Sequence, residues 1–143
     1  MVDQIILASK SGVRKKILEK NKINCRVEPS NIDEESVKES LLIEKATPTI
    51  ISKNLAELKA NKISQKFINE MVLGADSIID LNGEIISKPN DRAEALNILE
   101  KLNGKTHQLI SSVCISRGGS MIWNCTEKAS LTMWEMSKEE FKF

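Results

Sequence analysis

Ile5-Ile6-Leu7-Ala8-Ser9-Lys10-Ser11-Gly12-Val13-Arg14-Lys15-Lys16-Ile17-Leu18 begins with four apolar residues, breaks at a Ser/Gly turn and resumes with helical spacing. The apolar run predicts a short buried first strand. Val13, Ile17 and Leu18 then share a helix face, with Ser11 as the N-cap. Strand, tight polar turn and helix form the opening of an α/β unit, and the rest of the chain continues the alternation. Asn24 to Glu28 reads as a second strand and Pro29-Ser30-Asn31 as loop. Asp33-Glu34-Glu35 opens a helix running to about Lys45, its acidic residues at the positive end of the dipole. Thr47-Pro48 starts the longest helix, with Thr as cap and Pro in the first turn. Ile50, Ile51, Leu55, Leu58, Ile63 and Phe67 supply its apolar positions.

Met71 to Ala75 predicts the next strand, broken by Gly74, and Ile78 to Leu81 continues extended. Asn82-Gly83 is a hairpin turn, and Glu84-Ile85-Ile86 returns from it. Ser87 to Asp91 is a loop that caps a helix carrying Ala93, Leu96, Ile98, Leu99 and Leu102; Asn103-Gly104 ends it. Thr106 to Ser116 and Met121 to Thr132 pair around the turn Arg117-Gly118-Gly119-Ser120. Ser137-Lys138-Glu139-Glu140 has the pattern of a capping box, so a further helix is expected there. The fold class is α/β: a mixed sheet flanked by helices, in a single domain over residues 1–143.

Composition narrows the function. The 143 residues, 41% hydrophobic and 29% charged, are those of an ordinary folded domain, so disorder is not the default. Net charge is only +1, so no global field draws the chain to nucleic acid or to an anionic membrane. Aromatics make up 3%, too few for a base-stacking platform. Cys25, Cys114 and Cys125 lie far apart without a CxxC pair, and read as three reduced, mostly buried thiols. Met1 to Ala8 lacks the basic segment and apolar length of a signal peptide, and no stretch is apolar enough to span a bilayer. A cytoplasmic protein is expected.

Three groups of residues carry chemistry. Ser9, Ser11, Gly12, Arg14 and Lys15 surround a helix start, where free amides and the dipole favour an anion and Arg can fork onto phosphate; a capped surface helix with solvated basic residues accounts for the same pattern. Asp76, in Leu73-Gly74-Ala75-Asp76-Ser77, ends an apolar strand among small residues that let a substrate approach. A carboxylate there can take a proton from water or hold a divalent cation; a turn Asp bonded to its own backbone is the alternative. Lys88, extended before Pro89, is placed to reach back across the hairpin towards Asp76, or serves as a solvated edge lysine. Lys59 and the Asp33-Glu34-Glu35 cluster also have bland readings, as a solvent-facing lysine and a helix-start charge cluster. His107, the lone histidine, reads as packed or solvated within a strand. Metal-ligand histidine pairs and Ser-His-Asp arrangements are absent, which leaves cations, carboxylates and an anion pocket suited to a phosphoryl substrate.

These residues resemble the Maf family. Leu7-Ala8-Ser9-Lys10-Ser11-Gly12-Val13-Arg14-Lys15 is similar to its L-A-S-x-S-x-x-R-R opening and Ile32-Asp33-Glu34 to its acidic element. Leu55 to Ala60 resembles L-A-x-x-K-A, and Gly74-Ala75-Asp76-Ser77 resembles G-A-D-T. Lys88-Pro89, Ala93, Leu102, Gly104 and Thr106-His107 follow its later pattern. The resemblance implies a Maf/ITPase-like fold and hydrolysis of a nucleoside triphosphate, standard or modified, to monophosphate and pyrophosphate with Mg²⁺ or Mn²⁺. It implies Asp76 as the base and metal ligand, Glu34 as a second metal ligand, and Ser9, Ser11, Arg14, Lys15, Lys59 and Lys88 as substrate-binding residues. Ser77 stands for the commoner Thr and Lys15 for the second Arg, which keeps charge but loses the fork. Family members continue past Phe143 with a segment that lines the cleft, so a C-terminally truncated chain is expected. That leaves a catalytically weak, regulatory nucleotide-binding protein linked to septum formation as the alternative. A last helix left unfinished could also pack on a second copy, as a homodimer.

Overall fold

The computed structural model describes residues 4–141. Met1, Val2 and Asp3, part of the segment weighed against a signal peptide, lie outside the described residues, as do Lys142 and Phe143 at the expected last helix. Strand β1 (Ile5–Leu7) leads through the Ser9–Ser11 turn into α1 (Gly12–Lys20) and then β2 (Cys25–Val27), parallel to β1. Helices α2 (Glu34–Ile43) and α3 (Pro48–Ser64) follow, and β3 (Val72–Leu81) lies parallel on the other side of β1. The hairpin strand β4 (Glu84–Ile86), helix α4 (Arg92–Leu102) and two long antiparallel strands, β5 (Thr106–Arg117) and β6 (Ser120–Thr132), complete the sheet. Its order is β2-β1-β3-β5-β6, with β4 on β3. The mixed sheet with flanking helices expected from the sequence is what forms.

Local chemistry explains the element ends. The Ser11, Asp33, Thr47 and Asp91 side chains each accept from the backbone N–H three residues on, so all four α-helices start on a side-chain cap. Asn82 and Gly83 take φ values of 50° and 93°, the left-handed pair that a tight hairpin requires. Ser137 forms half of its box: its N–H donates to Glu140 Oε1 at 3.3 Å. The turn it opens is a 3₁₀ helix (Lys138–Phe141) with Phe141 buried, not the expected α-helix. Asn103 acts like a strand edge, its amide donating to the Met136 carbonyl at 2.8 Å and accepting from Met136 N–H at 2.7 Å. The three cysteines are free thiols; only Cys114 is fully buried, and burial pushes its thiol up to about 11.

Helix α3 covers one face of the sheet. Ile51, Ser52, Leu55, Ala56, Lys59, Ala60, Ile63 and Ser64 are its buried positions, a stripe at three-and-four spacing. Ile50 and Leu58, expected in the core, are 47% and 43% exposed, and Lys59 occupies the core stripe instead. Ile6, Ala8, Val72 and Cys114 pack against Ala56, Ala60 and Ile63. A second cluster joins Ile51, Leu55 and Ile78 to Val37 and Leu41 of α2. Leu81, Ile86 and Leu102 hold α4 to the hairpin. Past the far end of α3, Ser116 Oγ donates to Asn61 Oδ1 and Gly119 N–H donates to Ser64 Oγ at 2.9 Å, fixing the helix to the β5–β6 turn.

Gly74 does not break β3, which runs unbroken through ten residues. Nor does its bare Cα make room for a substrate. A Cβ there would lie 2.3 Å from the Ala56 carbonyl oxygen and 2.8 Å from Ala60 N, so the missing side chain lets α3 lie directly on the strand. Both of those neighbours are backbone and cannot swing aside. Gly74→Ala is therefore expected to cost roughly 3 kcal/mol or more through overpacking, read as a lowered denaturant midpoint with an unchanged slope; an unshifted midpoint would show that α3 can move off β3 freely.

Candidate active site

Close packing at Gly74 sets the depth of Lys59. One turn of α3 carries Ala56, Lys59 and Ala60, so a helix seated on Gly74 brings the Lys59 side chain against the next inward position of β3, Asp76. Lys59 and Asp76 are 8% and 7% exposed. Lys59 Nζ donates to the Ala75 carbonyl at 3.1 Å and to Asp76 Oδ1 at 3.4 Å. Glu34, at the first turn of α2, approaches the same ammonium to 2.5 Å while remaining 41% exposed. Two carboxylates from two elements thus share one buried cation. Asp33 is the α2 N-cap, bonded to Ser36 N–H, and so serves the helix start; Glu34, one residue on, turns inward.

Burial dominates the electrostatics of Asp76. Desolvation raises its carboxyl above the ordinary range, the neighbouring Lys59 charge and hydrogen bond oppose this, Glu34 adds a smaller upward push and Lys38 a smaller downward one. Its backbone carbonyl accepts from Ser52 Oγ at 3.2 Å, while its second carboxylate oxygen, Oδ2, is buried without a protein partner. An acceptor left open at this depth is costly unless something is bound there.

The helix start forms the opposite wall. Ser9, buried, accepts from Ser11 N–H at 3.1 Å and from Arg14 Nη1 at 3.0 Å. Ser11 accepts from Arg14 N–H at 3.3 Å as the cap. These bonds hold the turn and aim the guanidinium before any ligand arrives. Ser9, Ser11, Arg14, Glu34, Lys59, Asp76 and Lys88 all line one cleft of about 650 Å³, within the roughly 300–1,000 Å³ usual for small-molecule sites. Lys88 is an exposed residue at its rim, just beyond β4.

Lys15 does not belong to this group. It lies outside the cleft lining, half-exposed, with Glu19 as its partner at 3.7 Å. One step along a helix turns a side chain by about 100°, and here that step carries Lys15 out of the lining to which Arg14 belongs. Two cations that sequence reasoning passed over do line it: Lys10 and Lys38. The available signal for Lys38 was its position four residues after Glu34, on the same face of α2. The cleft has five cations against two carboxylates, a local +3 that the near-neutral whole chain conceals. Isoleucines 32, 78, 85 and 86 give it an apolar wall. Among the described residues no group of three His, Cys, Asp or Glu gathers in metal-binding geometry, and no helix is long and apolar enough to cross a membrane. His107 is buried, with Nδ1 unpartnered, and is not among the residues lining the cleft.

Comparisons with known proteins place the chain in a family. A family model described as Maf-like protein matches residues 4–143. A nucleoside triphosphate pyrophosphatase of Pelagibacter ubique (strain HTCC1062) is 81% identical over 137 residues, covering 96% of this chain and 70% of that protein. A 7-methyl-GTP pyrophosphatase of Brucella abortus is 37% identical, covering 95% of this chain and 68% of that protein. Among solved structures, a HAM1 protein from Coxiella burnetii superposes with a TM-score of 0.59 at 13% identity, covering 92% of this chain and 73% of that one. At that identity the likeness is one of fold.

Asp76 links the site to stability. Its carboxyl is raised in the folded state, so the native protein holds the proton more tightly than the unfolded chain, and wild-type stability from this group falls as pH rises from the ordinary 3.8 through the raised native value. Asn at this position does not titrate. The melting temperature of Asp76→Asn relative to wild type should therefore climb across that window and level off above it; a difference that falls instead would mean that Lys59, not burial, controls the carboxyl.

Proposed function

We infer the reaction from one premise: this chain belongs to the Maf-like family, and its cleft brings that family resemblance together in space. The protein is a nucleoside triphosphate pyrophosphatase, converting a nucleoside triphosphate and water into nucleoside monophosphate and pyrophosphate. The observation that carries this reading is the convergence of Arg14, Glu34, Lys59, Asp76 and Lys88, spread over more than half of the sequence, on a single cleft.

The residue roles follow from position and charge. Asp76 is the general base: its carboxylate takes a proton from water as the water oxygen bonds to the α-phosphorus, and the bond from that phosphorus to the bridging oxygen breaks, releasing pyrophosphate. A raised carboxyl suits this task, because a base works best with affinity for the proton near the working pH. Arg14, held ready by Ser9, offers a planar fork to phosphate oxygens. Lys59 keeps Asp76 in place through the Oδ1 contact and offers positive charge beside the reacting phosphate, where preorganised cations lower the barrier. Lys88, exposed at the rim, meets the incoming polyphosphate. Ser9 and Ser11 shape the anion-binding turn.

A divalent cation fits the donors present. The buried, unpartnered Asp76 Oδ2 and the half-exposed Glu34 carboxylate are hard oxygen ligands, and Mg²⁺ is characteristically held by one or two carboxylates together with substrate phosphates and water rather than by an all-protein cage. Asp76 and Glu34 would hold Mg²⁺ or Mn²⁺, which when bound supplies charge neutralisation and polarisation of the phosphate. The reading carries with it a cytoplasmic location, where nucleoside triphosphates are found.

A pyrophosphate-release assay over standard and modified nucleoside triphosphates tests the proposal. Asp76→Asn should lower turnover by at least a hundredfold, the scale of lost general-base catalysis, with the fold retained by circular dichroism. Chelation should suppress release and added Mg²⁺ or Mn²⁺ restore it. Turnover undiminished in Asp76→Asn removes Asp76 from the mechanism, and undiminished turnover under chelation removes the metal.

A further inference from the structure

Lys38 is a lysine out of place on a surface helix. It sits one turn after Glu34 on α2, its side chain is only 18% exposed, and it lines the cleft. Val37 and Leu41, on the neighbouring flank of the helix, pack into the cluster of Ile51, Leu55 and Ile78, which fixes the rotation of α2 and turns Lys38 towards the cleft. Its ion-pair partner is Glu35, at a long 3.8 Å and with a side chain 73% exposed. So loose a pair on a helix surface contributes little, and it does not account for how far this side chain is withdrawn from solvent. Its field reaches the Asp76 carboxyl, but more weakly than those of Lys59 and Glu34. Lys38 therefore lies on the same cavity at a greater remove from the base.

We propose that Lys38 is a further substrate-binding residue, whose ammonium holds the part of the polyphosphate beyond the reacting phosphorus and keeps hold of it as product pyrophosphate. This rests on the pyrophosphatase reading for the name of the substrate, not for the anion site itself. Glu34 and Lys38 then divide one helix face between two tasks, with the carboxylate beside the base and the cation one turn farther on. The exposed partner suits that role, since Glu35 can release Lys38 to a phosphate without leaving a buried charge behind. Because α2 carries both residues, a polyphosphate spanning them would also bind the helix to the cleft.

Binding of inorganic pyrophosphate, with Mg²⁺ present, is measured by calorimetry on wild type, Lys38→Gln, Lys38→Arg and the off-site control Lys20→Gln, together with steady-state kinetics on a nucleoside triphosphate. A charge-assisted hydrogen bond of ordinary strength corresponds to about tenfold in affinity. Lys38→Gln should weaken pyrophosphate binding and raise KM by about that factor, with kcat changed far less; Lys38→Arg should recover most of the loss, and Lys20→Gln should match wild type. Wild-type affinity in Lys38→Gln overturns the proposal. So does an equal loss in the Gln and Arg variants accompanied by lowered melting temperatures, which would mark Lys38 as a packing residue. If wild type binds pyrophosphate through Lys38 yet releases none from any triphosphate, the enzymatic reading fails while the anion site stands.

Discussion

Lys59 is buried with carboxylates from two other elements around its ammonium, and that arrangement depends on how closely one helix lies on one strand. Bringing a lysine so far from water is unfavourable unless its charge is matched and its donors are taken up. Asp76, Glu34 and the Ala75 carbonyl provide the match. Were α3 to stand away from β3 by the thickness of a methyl group, Lys59 would no longer reach Asp76, and the base would be left in an apolar wall with neither oxygen bonded. Gly74, Ala56 and Ala60 remove that thickness. The packing of the core and the chemistry of the cleft are thus set by the same contact, and the site borrows its rigidity from the largest helix in the molecule.

Much of this was legible in the sequence, though unevenly. The alternation of elements, the Ser11 and Thr47 caps and the Asn82-Gly83 hairpin are local, and local chemistry is enough to place them. Lys59 was ambiguous because a stripe of small and apolar residues with a lysine in it can turn either way; only the strand it packs on decides the rotation. Leu58 and Ile50 look like better core residues, and they face outward. Gly74 was misread for a related reason. A glycine in a strand signals a close approach without saying by what, and here the visitor is a helix rather than a ligand. Lys15 was placed in the site because the family pattern favours two adjacent basic residues, whereas helical rotation sends the second one to Glu19. Lys38 carries no motif at all. Its spacing from Glu34 places both on one helix face, but that this face meets the cleft depends on how α2 is held by Val37 and Leu41, which is a tertiary fact.

The cleft also shows how a protein with almost no net charge can favour a polyanion. Its cations come from the turn after β1, from α1, α2, α3 and the end of β4, while most of the chain's 20 acidic residues lie outside the cleft lining. Concentrating charge in a concave, partly apolar space strengthens each interaction compared with the same charges on an open surface. The carboxylates moderate this without cancelling it.

The parallel strand β1 pairs Ile6 with Val72, residues far apart along the chain. The β5–β6 hairpin and the β3–β4 turn close short loops, and they can form early; the β1–β3 pairing must wait for a long loop to close, with the entropic penalty that entails. Ser9, Ser11 and Arg14 travel with β1, while Lys59, Asp76 and Lys88 belong to the part that assembles around α3 and β3. The two walls of the cleft are thus joined across the longest of these loops, so the phosphate-facing turn meets the half-site that carries the base and the lysine only where β1 pairs with β3.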